Sequence, residues 1–112
     1  MIIGDRGYGK AYYKLRKILI QNFNFDLTSI GIEYWTESIL LSRKCGNFVK
    51  MGILYKTIAD KNNTTSLAVE RAMRYSSFTA KEKIKAVFEI NTKLTNATIY
   101  KLMLEYFKES EE

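Results

Sequence analysis

An all-α fold without a membrane span follows from three features of this sequence. It has no proline in 112 residues, so the residue that most often breaks helices and shapes turns is missing throughout. Its apolar residues recur at intervals of three and four, the period of a helix face, not of a strand. Its longest apolar runs, such as Ile18 to Ile20 and Ile39 to Leu41, are only three residues long, whereas a membrane-spanning helix needs ~20. A chain of this length supports one core. The expectation is a compact bundle of five or six helices over residues 10–112, containing a helix-turn-helix at about 53–77 and preceded by a loose arm at 1–9.

The elements follow in order. Gly4, Gly7 and Gly9 make the arm. From Lys10 to Asn22, Tyr12, Leu15, Ile18 and Leu19 form an apolar stripe beside Lys10, Lys14 and Lys17. This describes an amphipathic core helix with a solvated basic face, a membrane-surface helix being the weaker alternative. Asn22 to Ser29 is a short polar link whose Asp26, Thr28 and Ser29 are candidate caps. The next helix runs from about Ile30 to Arg43 on Ile32, Trp35, Ile39 and Leu40, with Trp35 a core anchor before a base-stacking platform. Gly46 and Asn47 break the chain. A helix from about Phe48 to Lys61, with a possible kink at Gly52, leads to a polar turn and a further helix at 65–77. Lys81 to Ile90 is a short helix, Asn91 to Asn96 a loop, and Thr98 to Glu109 a last helix on Ile99, Leu102, Met103, Tyr106 and Phe107.

Composition narrows the function classes. There is no histidine, the commonest general base, and the single Cys45 has Lys44 beside it but no evident base. Its bland reading is a partly buried thiol. One cysteine makes no internal disulfide, and a zinc site would have to rest on that thiol and carboxylates. Neither an enzyme, nor a metal, nor a cofactor is expected. The N-terminus lacks the basic start and apolar stretch of a secretory signal, so a cytoplasmic protein with no membrane partner is expected. The net charge of +6 is uneven. Residues 1–22 carry five basic groups against Asp5, and residues 50–75 carry Lys50, Lys56, Lys61, Arg71 and Arg74 against Asp60 and Glu70. The tail from Glu105 to Glu112 is acidic. A basic body suits a polyanionic partner.

The segment from Ile53 to Ser76 has the stereochemistry of a helix-turn-helix. Ala59 is the small residue that lets the first helix approach the second. Four residues later Asn63 suits the left-handed conformation of a sharp turn. Thr64, Thr65 or Ser66 supplies a hydroxyl cap. Val69, Ala72, Met73 and Ser76 share the buried face of the second helix, while Leu67, Arg71, Arg74, Tyr75 and Phe78 lie on another, flanked by Ala68 and Glu70. Unrelated helix pairs also have these spacings.

The residues themselves are more specific. The run Val69-Glu70-Arg71-Ala72-Met73-Arg74-Tyr75 resembles the Val-Glu-Arg-Ala-Ile-Arg-His of the C-terminal DNA-binding domain in the stage-zero sporulation response regulator family of endospore-forming bacteria. Leu54-Tyr55-Lys56-Thr57-Ile58-Ala59 and Asn63-Thr64-Thr65 are similar to its Leu-Tyr-Pro-x-Ile-Ala and Asn-Thr-Thr. Weaker likenesses are Gly31 to Ile39 and Lys93-Leu94-Thr95-Asn96. The resemblance covers about residues 14–108 and is strong from 54 to 76. It implies a six-helix bundle that binds duplex DNA, often as a tandem homodimer, and contacts the sigma subunit of RNA polymerase.

On that resemblance the helix at 65–77 reads the major groove. Arg71 is expected to bond guanine and Glu70 a cytosine amine, with Leu67 and Ala68 beside them at the bases. Lys61, Thr65, Ser66, Arg74 and Tyr75 are expected to hold the DNA backbone. The competing reading of Glu70 with Arg74 is a surface ion pair one turn apart. The sequence also departs from the family. Ala68 stands where an arginine is common, Lys56 replaces a proline, and Tyr75 replaces a histidine. No receiver domain is expected within residues used up by the bundle, so the unit is expected to be detached from phosphorylation control, as a piece of a longer protein or a stand-alone relative. The rival function is a protein-interaction module or dimerising antagonist that kept the bundle and lost DNA binding.

Overall fold

A computed structural model describes residues 9–46 and 48–110. Six α-helices account for the secondary structure of these residues, with no strand among them: α1 (Lys10–Phe23), α2 (Gly31–Cys45), α3 (Met51–Lys61), α4 (Ser66–Phe78), α5 (Lys81–Phe88) and α6 (Asn96–Ser110). The arm expected at 1–9 lies outside the described residues except for Gly9, as does Asn47. The radius of gyration, 13.2 Å, is that of a close-packed domain of this length, about 13 Å.

The core is built around α2, which touches α1, α3, α4 and α6. Its Ile32, Trp35 and Ile39 are fully buried, packing with Leu15, Leu19 and Phe23 of α1, Leu54 and Ile58 of α3, Val69 and Met73 of α4, and Ile99 and Met103 of α6. Trp35 is the core anchor expected. Its indole Nε1 donates to the Met73 carbonyl at 2.8 Å, and the Phe25 ring meets it edge-on at 5.5 Å. Thus α2 and α4 are joined by both packing and a buried polar bond. Gly31 brings them closer still: a Cβ on it would sit 2.0 Å from the Ala72 carbonyl oxygen. Only glycine permits that approach.

The link between α1 and α2 is more than a polar connection. Phe23 extends α1, and Phe25 turns into the core. The Asp26 amide donates to the Ser76 carbonyl, the Ser76 hydroxyl returns a bond to the Asp26 carbonyl, and the Thr79 hydroxyl donates to the Asn24 carbonyl. The link is therefore strapped to the C-terminal end of α4.

Helix boundaries differ from sequence expectation where tertiary partners claim the backbone. Phe48 to Lys50 lie outside any helix, and α3 starts at Met51. The Val49 amide is used by the Tyr100 hydroxyl, and the Phe48 ring packs 5.0 Å from the Tyr100 ring. Gly52 consequently falls in the first turn, where a kink does not arise. At the other end, α6 begins two residues early, because the Thr95 hydroxyl accepts from the Thr98 amide as a cap. Helix α5 stops at Phe88, with Glu89 left-handed. Cys45 is exposed, not partly buried.

Candidate nucleic-acid interface

The pair α3 and α4 is joined by a turn whose geometry is set locally. Asn63 has φ 55°, in the left-handed region. The Thr64 amide reaches back to the Ala59 carbonyl at 2.9 Å, and the Asn63 amide to the Asp60 carbonyl at 3.4 Å. These two bonds close the end of α3 as a Schellman motif. Of the three candidate caps, Thr65 does the work: its hydroxyl accepts from the Ala68 amide at 3.1 Å, and α4 starts at Ser66. Ala59 is buried between the two helices, the role its small side chain suggested.

The turn is also held from behind. Asn62, at the end of α3, donates from Nδ2 to the Ile58 carbonyl and to Oε1 of the buried Glu37 in α2, both at 2.9 Å. Asn96, at the start of α6, donates from Nδ2 to the Tyr55 hydroxyl and to the Glu70 carbonyl, both at 3.1 Å. One asparagine ties the turn to α2. The other ties α3 and α4 to α6.

The two faces of α4 separate as their spacing predicts. Val69, Met73 and Ser76 are fully buried and Ala72 is half-buried, with Ser77 joining them inside. On the opposite side Leu67, Ala68, Arg71, Arg74, Tyr75 and Phe78 are exposed. Leu67, Tyr75 and Phe78 are 56%, 64% and 70% exposed, so three large apolar groups share this face with two arginines. Thr65 is exposed and Ser66 half-buried at its N-terminal end. The first turn carries no acidic residue, which leaves the positive end of the helix dipole uncancelled.

Glu70 lies between the faces. Its carboxylate pairs with Arg74 Nη2 at 3.5 Å, the one-turn ion pair anticipated as the competing reading. Beneath this pair, burial pushes the Tyr55 hydroxyl above the ordinary phenol range, against the opposing Asn96 hydrogen bond, while the Glu70 charge raises it further and Arg74 lowers it. Lys61 stands apart from this group. It is exposed, but it lines a shallow cavity of about 320 Å³ with Gly9, Tyr12, Glu37, Leu40, Lys44 and Thr57, on the side of α3 that faces α1 and α2.

The sequence reading missed Tyr55 and Asn96 as parts of the site, and Glu37 with Asn62 as its support. Tyr55 lay within the Leu-Tyr stretch already singled out, and Asn96 at the end of the loop before the last helix. Neither position shows locally that the two meet.

No family model matches the chain, nor does any curated protein or solved structure. What the structure itself defines is an all-helical domain in which the solvent face of α4 combines arginines with exposed apolar groups. No helix among the described residues is long and apolar enough to cross a membrane.

Proposed function

We propose that this protein is a sequence-specific DNA-binding transcription regulator that lays α4 in the major groove. The observation that carries the reading is the division of α4: Val69, Met73 and Ser76 anchor it in the core while Leu67, Ala68, Arg71, Arg74 and Tyr75 remain exposed. Arg71 donates paired hydrogen bonds to guanine O6 and N7, and Glu70 accepts from cytosine N4, each good pair contributing ~1–3 kcal/mol of discrimination. Leu67 and Ala68 pack near thymine methyl groups. Thr65, Ser66, Arg74 and Tyr75 hold phosphates and set the register, and Lys61 adds a cation at the end of α3. A second copy bound to the same duplex and the sigma subunit of RNA polymerase are the protein partners implied by the sporulation-regulator resemblance.

Selection of bound duplexes from a random pool at two salt concentrations tests this directly. A recovered consensus, with affinity falling as salt rises, is the expected result. Arg71→Ala then loses preference at one base pair while binding of random duplex persists. Equal losses on selected and random duplex refute the assignment of Arg71 as a base reader. A protein-interaction module is the second reading, favoured by the exposure of Leu67, Tyr75 and Phe78 on one helix. It requires that no duplex be bound in a salt-dependent way.

A further inference from the structure

We infer that the cavity lined by Lys61 binds a small zwitterion, with an ammonium group at one end, a short apolar chain, and a carboxylate at the other. The inference does not depend on the DNA-reading role of α4. It starts from an oxygen without a partner. Glu37 is 4% exposed, and Asn62 donates to its Oε1 at 2.9 Å, while its Oε2 is buried with no hydrogen-bond partner. A buried polar atom left unpaired costs free energy, the more so on a charged group. A carboxylate oxygen lacks a donor, and an ammonium supplies one together with the opposite charge. The Asn62 bond holds the carboxylate in place before the ligand arrives.

The walls determine what else the ligand carries. Glu37, Leu40, Leu41 and Lys44 line the cavity from α2 at i, i+3, i+4 and i+7, which is one helix face, and Ile58 and Lys61 line it from α3. Along α2 the order is carboxylate, two leucines, ammonium, with a rise of ~10 Å from Glu37 to Lys44. A ligand lying on that face meets these groups in the complementary order. Its ammonium meets Glu37, its methylenes cover the leucines and Ile58, and its carboxylate faces Lys44 and Lys61. The two lysines turn away a second ammonium. The volume of about 320 Å³ holds about ten groups the size of a water at ~30 Å³ each. A molecule such as 6-aminohexanoic acid has this size and this order.

Titration calorimetry of the full chain with 6-aminohexanoic acid, hexylamine and 1,6-diaminohexane tests the site, with amide chemical shifts locating the bound probe. The amino acid binds with a Kd on the order of 1 mM, as expected of so small a ligand. Hexylamine, lacking the carboxylate, binds about two- to fivefold more weakly, the size of a solvent-exposed ion pair. The diamine binds more weakly than hexylamine. Shifts gather at Leu40, Leu41 and Ile58. Glu37→Gln keeps an acceptor for Asn62 but loses the charge, and weakens both the amino acid and hexylamine at least about tenfold. The exposed Lys44→Gln narrows the preference for the amino acid over hexylamine. Urea unfolding checks each variant, and if Glu37→Gln is unfolded, Lys44→Gln and the order of the three probes decide. The site is refuted if no probe shifts those residues, if the diamine binds as tightly as the amino acid, if folded Glu37→Gln binds like wild type, or if Lys44→Gln leaves the preference unchanged. Failure of duplex selection leaves it standing.

Discussion

Replacing Gly31 by alanine places a methyl group where the fold has no room. The added Cβ would lie 2.0 Å from the Ala72 carbonyl oxygen and 2.7 Å from both its carbonyl carbon and the Ser76 Cβ. Two of these three atoms are backbone, so no rotamer change relieves the contact. The helices α2 and α4 must separate by roughly 1.5 Å to reach an ordinary contact of ~3.5 Å. That movement pulls on the Trp35 to Met73 bond and on the two bonds joining Asp26 to Ser76. Overpacking a core costs about 1–3 kcal/mol, and a backbone-to-backbone clash belongs at the upper end. Helix propensity works the other way: alanine is favoured over glycine by up to about 1 kcal/mol in a helix interior, and by less at the first residue of α2. A net loss of about 2–3 kcal/mol corresponds to a fall in Tm of about 10 °C for a domain of this size. Circular dichroism at 222 nm, by heating and in urea, measures it. Gly52→Ala is the matched control, since a Cβ there meets nothing within 4 Å, and in the first turn of α3 it stabilises by at most about 0.5–1 kcal/mol. A Gly31→Ala protein with a Tm within about 2 °C of wild type refutes the close crossing of α2 and α4.

Two further outcomes test the site and its support. Thr65→Ala removes the hydroxyl that caps α4 and costs about 1 kcal/mol in urea unfolding, whereas Thr65→Asp keeps a capping oxygen and the stability but weakens DNA binding by placing a negative charge against the phosphates. The Thr28 hydroxyl and amide hold the Asp26 carboxyl below its usual range of 3.8. A depressed carboxyl stabilises the fold above its unfolded value and loses that contribution as pH falls through the folded one. Acid unfolding followed below pH ~4 therefore flattens in Asp26→Asn, and an unchanged profile refutes the contribution.

The features legible in the sequence were those with a local cause. All six helices show in the three-and-four spacing of residues such as Leu15, Leu19, Ile32, Trp35, Ile99 and Met103. The left-handed Asn63 and the Thr65 cap follow from what each side chain does to its own backbone. The features that escaped were made by long-range pairs. Val49 leaves the helix because Tyr100 bonds its amide, Phe25 enters the core because the link is strapped to Ser76 and Thr79, and Asn96 meets Tyr55 across the interface. Periodicity carries no record of such meetings. Glu70 shows the same limit within one helix: its spacing allowed both a base contact and an ion pair to Arg74, and the free protein holds the pair.

The arrangement along α4 bears on which partner the face suits. Leu67 and Phe78 stand three turns apart, about 16 Å along the axis, with Arg71 and Arg74 between them. In a protein interface lysine and acidic groups are depleted from the centre, while aromatic residues and arginine gather there. Here Leu67 and Phe78 stand at the two ends, and the middle holds Arg71, Arg74 and the exposed Tyr75 ring. A protein partner covering that face would have to desolvate both arginines, a penalty offset only by well-placed acceptors. Duplex DNA presents those acceptors as phosphates and guanine edges, and leaves the ends of a groove-bound helix free to meet thymine methyl groups and sugars. The exposed apolar groups and the central arginines are thus compatible with either partner, and a salt-dependent affinity for duplex DNA is the observation that separates them.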